Sequence, residues 1–561
     1  MRKRFATAVA FLAVTGLMLT GCQQSKEGSS VDNKKAEQEA SKLPATDWQR
    51  AAADEVKQGG SLKLAIGQMP SNFNISQVDG ALVDLDTMMD PTLGGPIKIK
   101  EDGSWTVDHN YAKSVKLVSK DPQVVEVKLN PKAVWQNGDP ITWKDYYWFW
   151  KANNGSNKKY QIASNRGFKD IGKIEKGENK FDVKITYKKK NADWANYTAA
   201  LLPASVSKDP KKFNKGFEKK MVPSNGPFMV TNIDHGAEVI TEKPNPKWWG
   251  DKPKLDSITW KVIEQQQQPQ AYANKELDAV ETDTNADAYK TAKSRKDGAM
   301  QKSTGLIWTH LTLNAKHGAL ADKKVRRAIG HAINRNVIAK AAMSPVGAPV
   351  MTQNNTIFMP GQNGYQDNTQ GTMKYDPKKA KKILDDAGYK KQGNVRAKGN
   401  KKLAFSIVVP AGTPTNAQRA KQVQKNLNDI GFKIKLQTVP SAKYFSDYID
   451  RHKFDMATFS WQGTAFPIDS TVNLFYPADA GQNYTGISDP SIGKLATKAN
   501  SEFDEDKRRD LANEIDKKIL DVEGVMPIYP TPQIFGVKKG LVNYGAAQLE
   551  SIDWTIAGWK K

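Results

Sequence analysis

A single cysteine, Cys22, closes an apolar run near the start of this chain, and its isolation narrows what the rest can become. Without a second thiol there is no intramolecular disulfide, so any fold must be held by buried apolar side chains. Ahead of Cys22, Met1-Arg2-Lys3-Arg4 is basic, and Phe5 to Leu19 is apolar, broken only by Thr and Gly. That run is too short to span a bilayer comfortably, and its order of basic, apolar and small residues is that of an export signal. No later run approaches membrane-spanning length. With 39% hydrophobic and 26% charged residues, the remainder reads as globular. Its 561 residues exceed the roughly 250–300 at which single cores stop growing, so more than one core is expected.

Leu19-Thr20-Gly21-Cys22 resembles a bacterial lipobox, in which a diacylglycerol is joined to the cysteine sulfur and cleavage leaves Cys22 first. The alternative is an ordinary signal peptide with an unrelated cysteine behind it. On the lipobox reading, residues 1–21 are the signal, and the two acyl chains hold Cys22 stably at a membrane surface. Gln23 to Lys42 is rich in Ser, Lys, Glu and Gln, so 22–59 is expected to be a flexible tether, with a short helix over Ala51 to Lys57 stopped by Gly59-Gly60. The formal charge of +24 suits either nucleic acid or an anionic surface. The lysines are spread along the chain and no nucleic-acid motif accompanies them, which favours lipids or wall polymers.

The body opens with an alternating strand, Ser61 to Gly67, and a turn-forming cluster, Pro70-Ser71-Asn72-Phe73-Asn74. Val124 to Leu129 is a second strand, followed by Pro131 to Asp145, where Asn137-Gly138 makes a tight turn and Thr142 caps a helix. Trp135 and the run Tyr146 to Trp150 are expected in the core. Ser224-Asn225-Gly226-Pro227-Phe228 starts a turn–strand–turn–strand unit that ends in Asn245-Pro246-Lys247-Trp248-Trp249. Trp308 to Asn314 alternates again. Val325, Ile329, Ala332 and Ile333 recur at helical spacing, which leaves Arg326 and Arg327 leaning outward. Asp376-Pro377 starts a helix that Gly388 ends. Leu403 to Val409, Asn416 to Ile430 and Phe432 to Val439 follow in strand–helix–strand order, which implies an α/β layered lobe. Phe454 to Gly463 is a strand running into a loop, Lys507 to Val522 an amphipathic helix, and Gln533 to Val537 a closing strand.

These segments, in this order from about residue 60 to 540, resemble the family 5 extracellular solute-binding proteins, the oligopeptide- and dipeptide-binding proteins of ABC importers. The resemblance implies an α/β, two-lobed periplasmic-binding-protein-like fold of type II with an extra subdomain on the first lobe. Its expected divisions are lobe I at 60–95, the subdomain at 96–219, lobe I again at 220–303, lobe II at 304–524 and a return to lobe I at 525–561. It also implies capture of oligopeptides in the interlobe cleft by a monomer anchored outside the cytoplasm; the lone lipid-modified cysteine and the lack of disulfides suit a Gram-positive cell, with a Gram-negative lipoprotein as the alternative. Delivery would be to a permease carrying cytosolic ATPases, since no P-loop occurs in this chain. The cleft residues implied are Asn72, Phe73, Trp308, Asn314, Trp461, Gly463, Thr464, Asp469, Asn483, Tyr484 and Tyr529. The family's aspartate for a peptide amino terminus is replaced here by Thr464, so that anchor falls to Asp469 or to other groups, or the ligand is not a peptide. A carbohydrate binder remains open, because Trp308, Trp461 and Tyr529 could stack on sugar rings, as does a peptide-sensing lipoprotein. The family has a nickel branch, to which His317 and His331 could correspond, although isolated surface histidines are the favoured reading. No cofactor is implied. The six histidines form no H-E-x-x-H spacing and no G-x-S-x-G elbow is present, so no catalysis is expected.

Overall fold

The computed structural model describes residues 37–561; the signal 1–21, Cys22 and the start of the expected tether lie outside the described residues. Lobe I begins with β1 (Ser61–Ile66), which turns Leu62, Leu64 and Ile66 inward with the period of two that a half-buried strand requires. The turn behind it leads into α1 (Val83–Met89), whose Leu85, Met88 and Met89 pack into the same core.

A four-stranded antiparallel sheet follows, built from β2 (Ala112–Lys120), β3 (Gln123–Leu129), β4 (Ile171–Lys176) and β5 (Asp182–Tyr187) in the order β2-β3-β5-β4. Between β3 and β4 the chain turns at Gly138, whose φ of +88° is a conformation that glycine adopts without strain. It then enters α2 (Trp143–Asn153). The Asp145 carboxylate accepts from the Thr142 N–H at 2.7 Å and from the Ala204 N–H at 2.8 Å, fixing the helix start and tying down a distant loop. Trp135, Tyr146, Phe149 and Trp150 are buried as expected, while Tyr147 and Trp148 are half-buried.

The chain then completes the first sheet with β6 (Phe228–Asp234), β7 (Val239–Pro244) and β8 (Ser257–Val262), in the order β1-β8-β7-β6, with β1 parallel to β8. Leu62, Phe228 and Trp260 of this sheet share one apolar cluster with Val127 and Ile185 of the other, so the subdomain has no separate core. The same cluster includes Leu541, Tyr544 and Trp554 from the end of the chain.

Six strands form the second large sheet: β9 (Ala279–Glu281), β10 (Gly298–Leu313), β11 (Ala404–Pro410), β12 (Lys433–Val439), β13 (Met456–Gln462) and β14 (Val525–Lys538), in the order β9-β14-β10-β13-β11-β12. β11 is parallel to both β12 and β13, and the other pairs are antiparallel. On this sheet pack α3 (Lys323–Ala332), α4 (Pro377–Asp386) and α5 (Pro414–Asn428); α6 (Pro467–Phe475) and α7 (Glu505–Asp521) form a neighbouring cluster. The long β10 and β14 carry the chain between the lobes. Their pairing slips between Ser303 and Ile307, where a Cβ on Gly305 would overlap the Thr531 carbonyl oxygen.

Two expectations need correction. The segment before β1 is not a free tether from residue 40 on: Ala40, Trp48 and Val56 are buried, and bridges join Thr46 to Ala547 and Val56 to Lys560. It gains the backbone partners and apolar cover that the chain's end offers, and its 51–57 stretch forms turns instead of a helix. Arg326 does not lean outward. It is 6% exposed and donates to the carbonyls of Leu320, Ala321 and Val522, closing the C-terminal end of α7.

Candidate ligand-binding cleft

β13 leaves its sheet at Gln462, and the Gly463 N–H donates to the Leu306 carbonyl at 2.8 Å, holding the following loop against β10. Thr464 then accepts the Phe466 N–H on its Oγ1 at 3.1 Å, and Pro467 opens α6. This turn faces lobe I across a cavity of about 570 Å³. Thr464, Ala465 and Phe466 line it from lobe II, while Ile75, Phe149, Asn196 and Tyr197 line it from lobe I. A second cavity of about 350 Å³ shares Ile75 and Leu201 with the first and continues into lobe I. These two half-open cavities are of the size that binds small ligands.

Polar contacts tie the two walls together. The Tyr197 hydroxyl donates to Asp469 Oδ2 at 2.6 Å, and Arg166 Nε stands 4.0 Å from the same oxygen. Burial, and then the Asp469 carboxylate, push the Tyr197 phenol far above its ordinary range, so it remains a donor. Further along, Arg508 on α7 lies 2.6 Å from Asp193, whose side chain is 1% exposed. Burial raises the Asp193 carboxyl and Arg508 opposes that rise. Gln266 of lobe I donates to the Gly412 carbonyl of lobe II, and Phe503 packs beneath lobe I with Lys120 over its ring. The lobes are closed on each other.

The residues nominated from sequence divide into two groups. Thr464 and Gly463 sit on the loop at the cavity, and Asp469 stands just behind it, already holding Tyr197. Trp461 is half-buried and stacks on Tyr484, with centroids 5.7 Å apart and planes at 3°. Tyr484 is buried and donates to Asp450 at 2.7 Å. The others form the frame. Asn72 donates to the Asn214 carbonyl, Asn314 to those of His452 and Phe454, and Asn483 to those of Phe475, Pro477 and Ile487. Phe73, Trp308 and Tyr529 are each no more than 2% exposed, and Tyr529 accepts from Arg419 at 2.9 Å. The asparagine amides are spent on backbone carbonyls and the rings are buried in the packing, so these side chains support the cleft instead of lining it. Of the two histidines considered as metal ligands, His331 is buried with Nδ1 at the Lys374 carbonyl, 2.8 Å away, and His317 lies 3.3 Å from Asp455.

Sequence reasoning missed Ile75, Tyr197, Asp193 and Arg508. The first three sit in irregular loops and a short 3₁₀ turn, Trp194–Tyr197, that carry no period. Arg508 is one of many charges on an exposed-looking helix, and only the packing of α7 across the cleft singles it out.

The model of the bacterial extracellular solute-binding proteins, family 5, matches residues 106–483. The oligopeptide-binding protein OppA of Mycobacterium tuberculosis (strain ATCC 25618 / H37Rv) is 35% identical over 562 residues, covering 99% of this chain and 94% of that protein. Among solved structures, the periplasmic EDTA-binding protein EppA superposes with a TM-score of 0.85 at 24% identity, covering 92% of this chain and 99% of that one. The oligopeptide-binding protein AppA of Bacillus subtilis, in complex with a nonapeptide, superposes with a TM-score of 0.76 at 21% identity, covering 90% and 100%.

Proposed function

This chain belongs to the family 5 bacterial extracellular solute-binding proteins, and from that premise we propose that it captures oligopeptides between its lobes and hands them to an ABC permease. The observation that carries the reading is the interlobe cavity of about 570 Å³, adjoined by a second of about 350 Å³ and bridged by contacts from one lobe to the other. A ligand that fills it stabilises those contacts, and the closed form is what a permease can recognise. The full-length likeness to an oligopeptide-binding relative supports a peptide over a sugar. So does the burial of Trp308 and Tyr529, two of the three rings that sugar stacking would have used.

The family is one of transport binding proteins, and we assign this chain no catalytic step. ATP hydrolysis belongs to the cytosolic partners of the permease. Among the described residues no helix is long and apolar enough to cross a membrane. Attachment is assigned to a diacylglyceryl group on Cys22, holding a monomer at the extracytoplasmic face. The hinge is placed where β10 and β14 slip at Gly305, close to the lobe boundary read at residue 304.

The test is thermal unfolding of the protein lacking residues 1–21, with peptides of two to ten residues and with oligosaccharides. A peptide at about 100 times its dissociation constant adds about 2.7 kcal/mol and raises the midpoint. Stabilisation by sugars alone overturns the peptide reading.

A further inference from the structure

The larger cavity is unlike the surface around it. In a chain of which 26% is charged, no aspartate, glutamate, lysine, arginine or histidine lines this space of about 570 Å³. The short strand Ile97–Ile99 shows how that is arranged. Both isoleucines line the cavity, while Lys98 between them turns the other way, to Asp108 at 3.4 Å and Asp553 at 3.3 Å. Three rings of lobe I form one wall. Phe149 meets Phe168 edge to face with centroids 5.4 Å apart, and Phe168 meets Tyr197 in the same way at 5.3 Å. Phe466 lines the cavity from lobe II and is half-buried.

Several polar side chains of the lining are engaged within the wall. The Asn153 amide donates to the Phe149 carbonyl at 2.9 Å, the Thr198 hydroxyl to the Ala195 carbonyl at 2.7 Å, and the Tyr197 hydroxyl to Asp469 at 2.6 Å. Asp469 and Arg166 face each other at 4.0 Å and stand outside the lining. An ammonium or carboxylate entering here loses water and meets no counter-charge in the lining, which is costly. An aromatic or aliphatic group instead buries its surface against rings and isoleucines, which is favourable.

We propose that this cavity is a charge-excluding subsite for one aromatic or large aliphatic side chain of the peptide, with Phe168 and Phe466 as its specificity-determining residues. It rests on the peptide reading above and deepens it, because the protein then selects peptides by what they carry at one fixed position. Selection has two parts, attraction of the apolar group by the rings and rejection of a charge left unpaired. Ala465 lines the same cavity beside Phe466, so a charge introduced there should change the sign of the selection.

The test is calorimetry on the full mature chain with pentaalanine in which Phe, Gln, Lys or Glu replaces each alanine in turn. At the position that enters the cavity, Phe should bind at least about tenfold more tightly than Lys or Glu, with Gln between them. Phe168→Ala and Phe466→Ala should each narrow the gap between Phe and Gln. Ala465→Asp should favour Lys over Glu at that position, and Ala465→Lys should favour Glu over Lys. Equal affinities for the four residues at every position overturn the proposal and leave the peptide reading standing. A Lys-to-Glu ratio unchanged in both Ala465 variants also overturns it, because the selection then arises elsewhere. If no peptide binds, the peptide reading fails, and N-acetylphenylalanine amide and N-acetyllysine amide decide the subsite by themselves. The first should raise the unfolding midpoint of the wild type more than the second, and Ala465→Asp should reverse that order. Equal shifts, or none, overturn it.

Discussion

Replacing Arg508 with alanine should weaken ligand binding without unfolding either lobe. Arg508 belongs to α7 of lobe II, Asp193 to lobe I, and they meet at 2.6 Å with side-chain exposures of 18% and 1%. In the Arg508→Ala protein the closed state must bury the Asp193 charge alone, whereas the open state returns it to water. Removing one partner of a buried pair costs about 3–5 kcal/mol. Because that cost falls only on the closed state, the apparent dissociation constant should rise by roughly 150-fold or more, as about 3 kcal/mol requires. Burial raises the Asp193 carboxyl against the pull of Arg508. In the variant it protonates more readily, so the deficit should shrink as pH falls. Calorimetry with one well-bound peptide measures the loss, and ligand-free thermal unfolding checks that the lobes are intact. Adding Asp193→Asn should restore part of the affinity, since the uncompensated charge is then gone. Wild-type affinity in Arg508→Ala would refute the reasoning, because the pair would then contribute nothing to closure.

Tyr197→Phe removes the donor that bridges to Asp469, so affinity should fall by the equivalent of about 1.5–3 kcal/mol while unfolding of the ligand-free protein barely changes. Gly305→Ala drives a Cβ into the Thr531 carbonyl at the slip between β10 and β14; urea unfolding should show a loss of about 1–3 kcal/mol. Stability should also depend on pH in two directions. Asp516 is fully buried and held at about 6, above its unfolded value, so its contribution is complete in acid and is lost as pH rises through about 6. His310, held at about 3 by burial and by Arg419, acts oppositely and costs stability as pH falls below its unfolded value. Between about pH 4 and 6 the two slopes oppose each other and largely cancel, so unfolding midpoints should change little there and fall below about pH 4, and Asp516→Asn should expose the His310 slope as a steady fall from about pH 6.5 downward.

Much of the frame could be read from sequence because its signals are local. Asn137-Gly138 needs only its own turn, and Asp376 caps α4 through the Lys379 N–H at 2.8 Å, an interaction spanning three residues. The site could not be read in the same way. Asn72, Asn314 and Asn483 are polar residues in loops near the cleft, which is what a ligand contact looks like in one dimension, yet each side chain is used on nearby carbonyls. Asp469 was recognised as a carboxylate near the right place, but its partner Tyr197 lies 272 residues away, and no pattern links them. The segment before β1 looked free because its composition is polar; what holds it is the far end of the chain.

That last attachment bears on how the molecule is made. Lobe I joins β1 and α1 to Leu541, Tyr544 and Trp554 in one core, and Thr46 and Val56 bridge to residues 547 and 560. A polypeptide emerging from its amino terminus can therefore assemble lobe II while lobe I still lacks a wall. Contacts at such sequence separation form late, since the loop they close must be ordered first. Lobe I would stay unfinished, and its apolar surface available to chaperones, until the final twenty or so residues arrive. Truncation by a short carboxy-terminal segment should thus be far more damaging than its length suggests, because it removes the last piece of a core begun about 480 residues earlier.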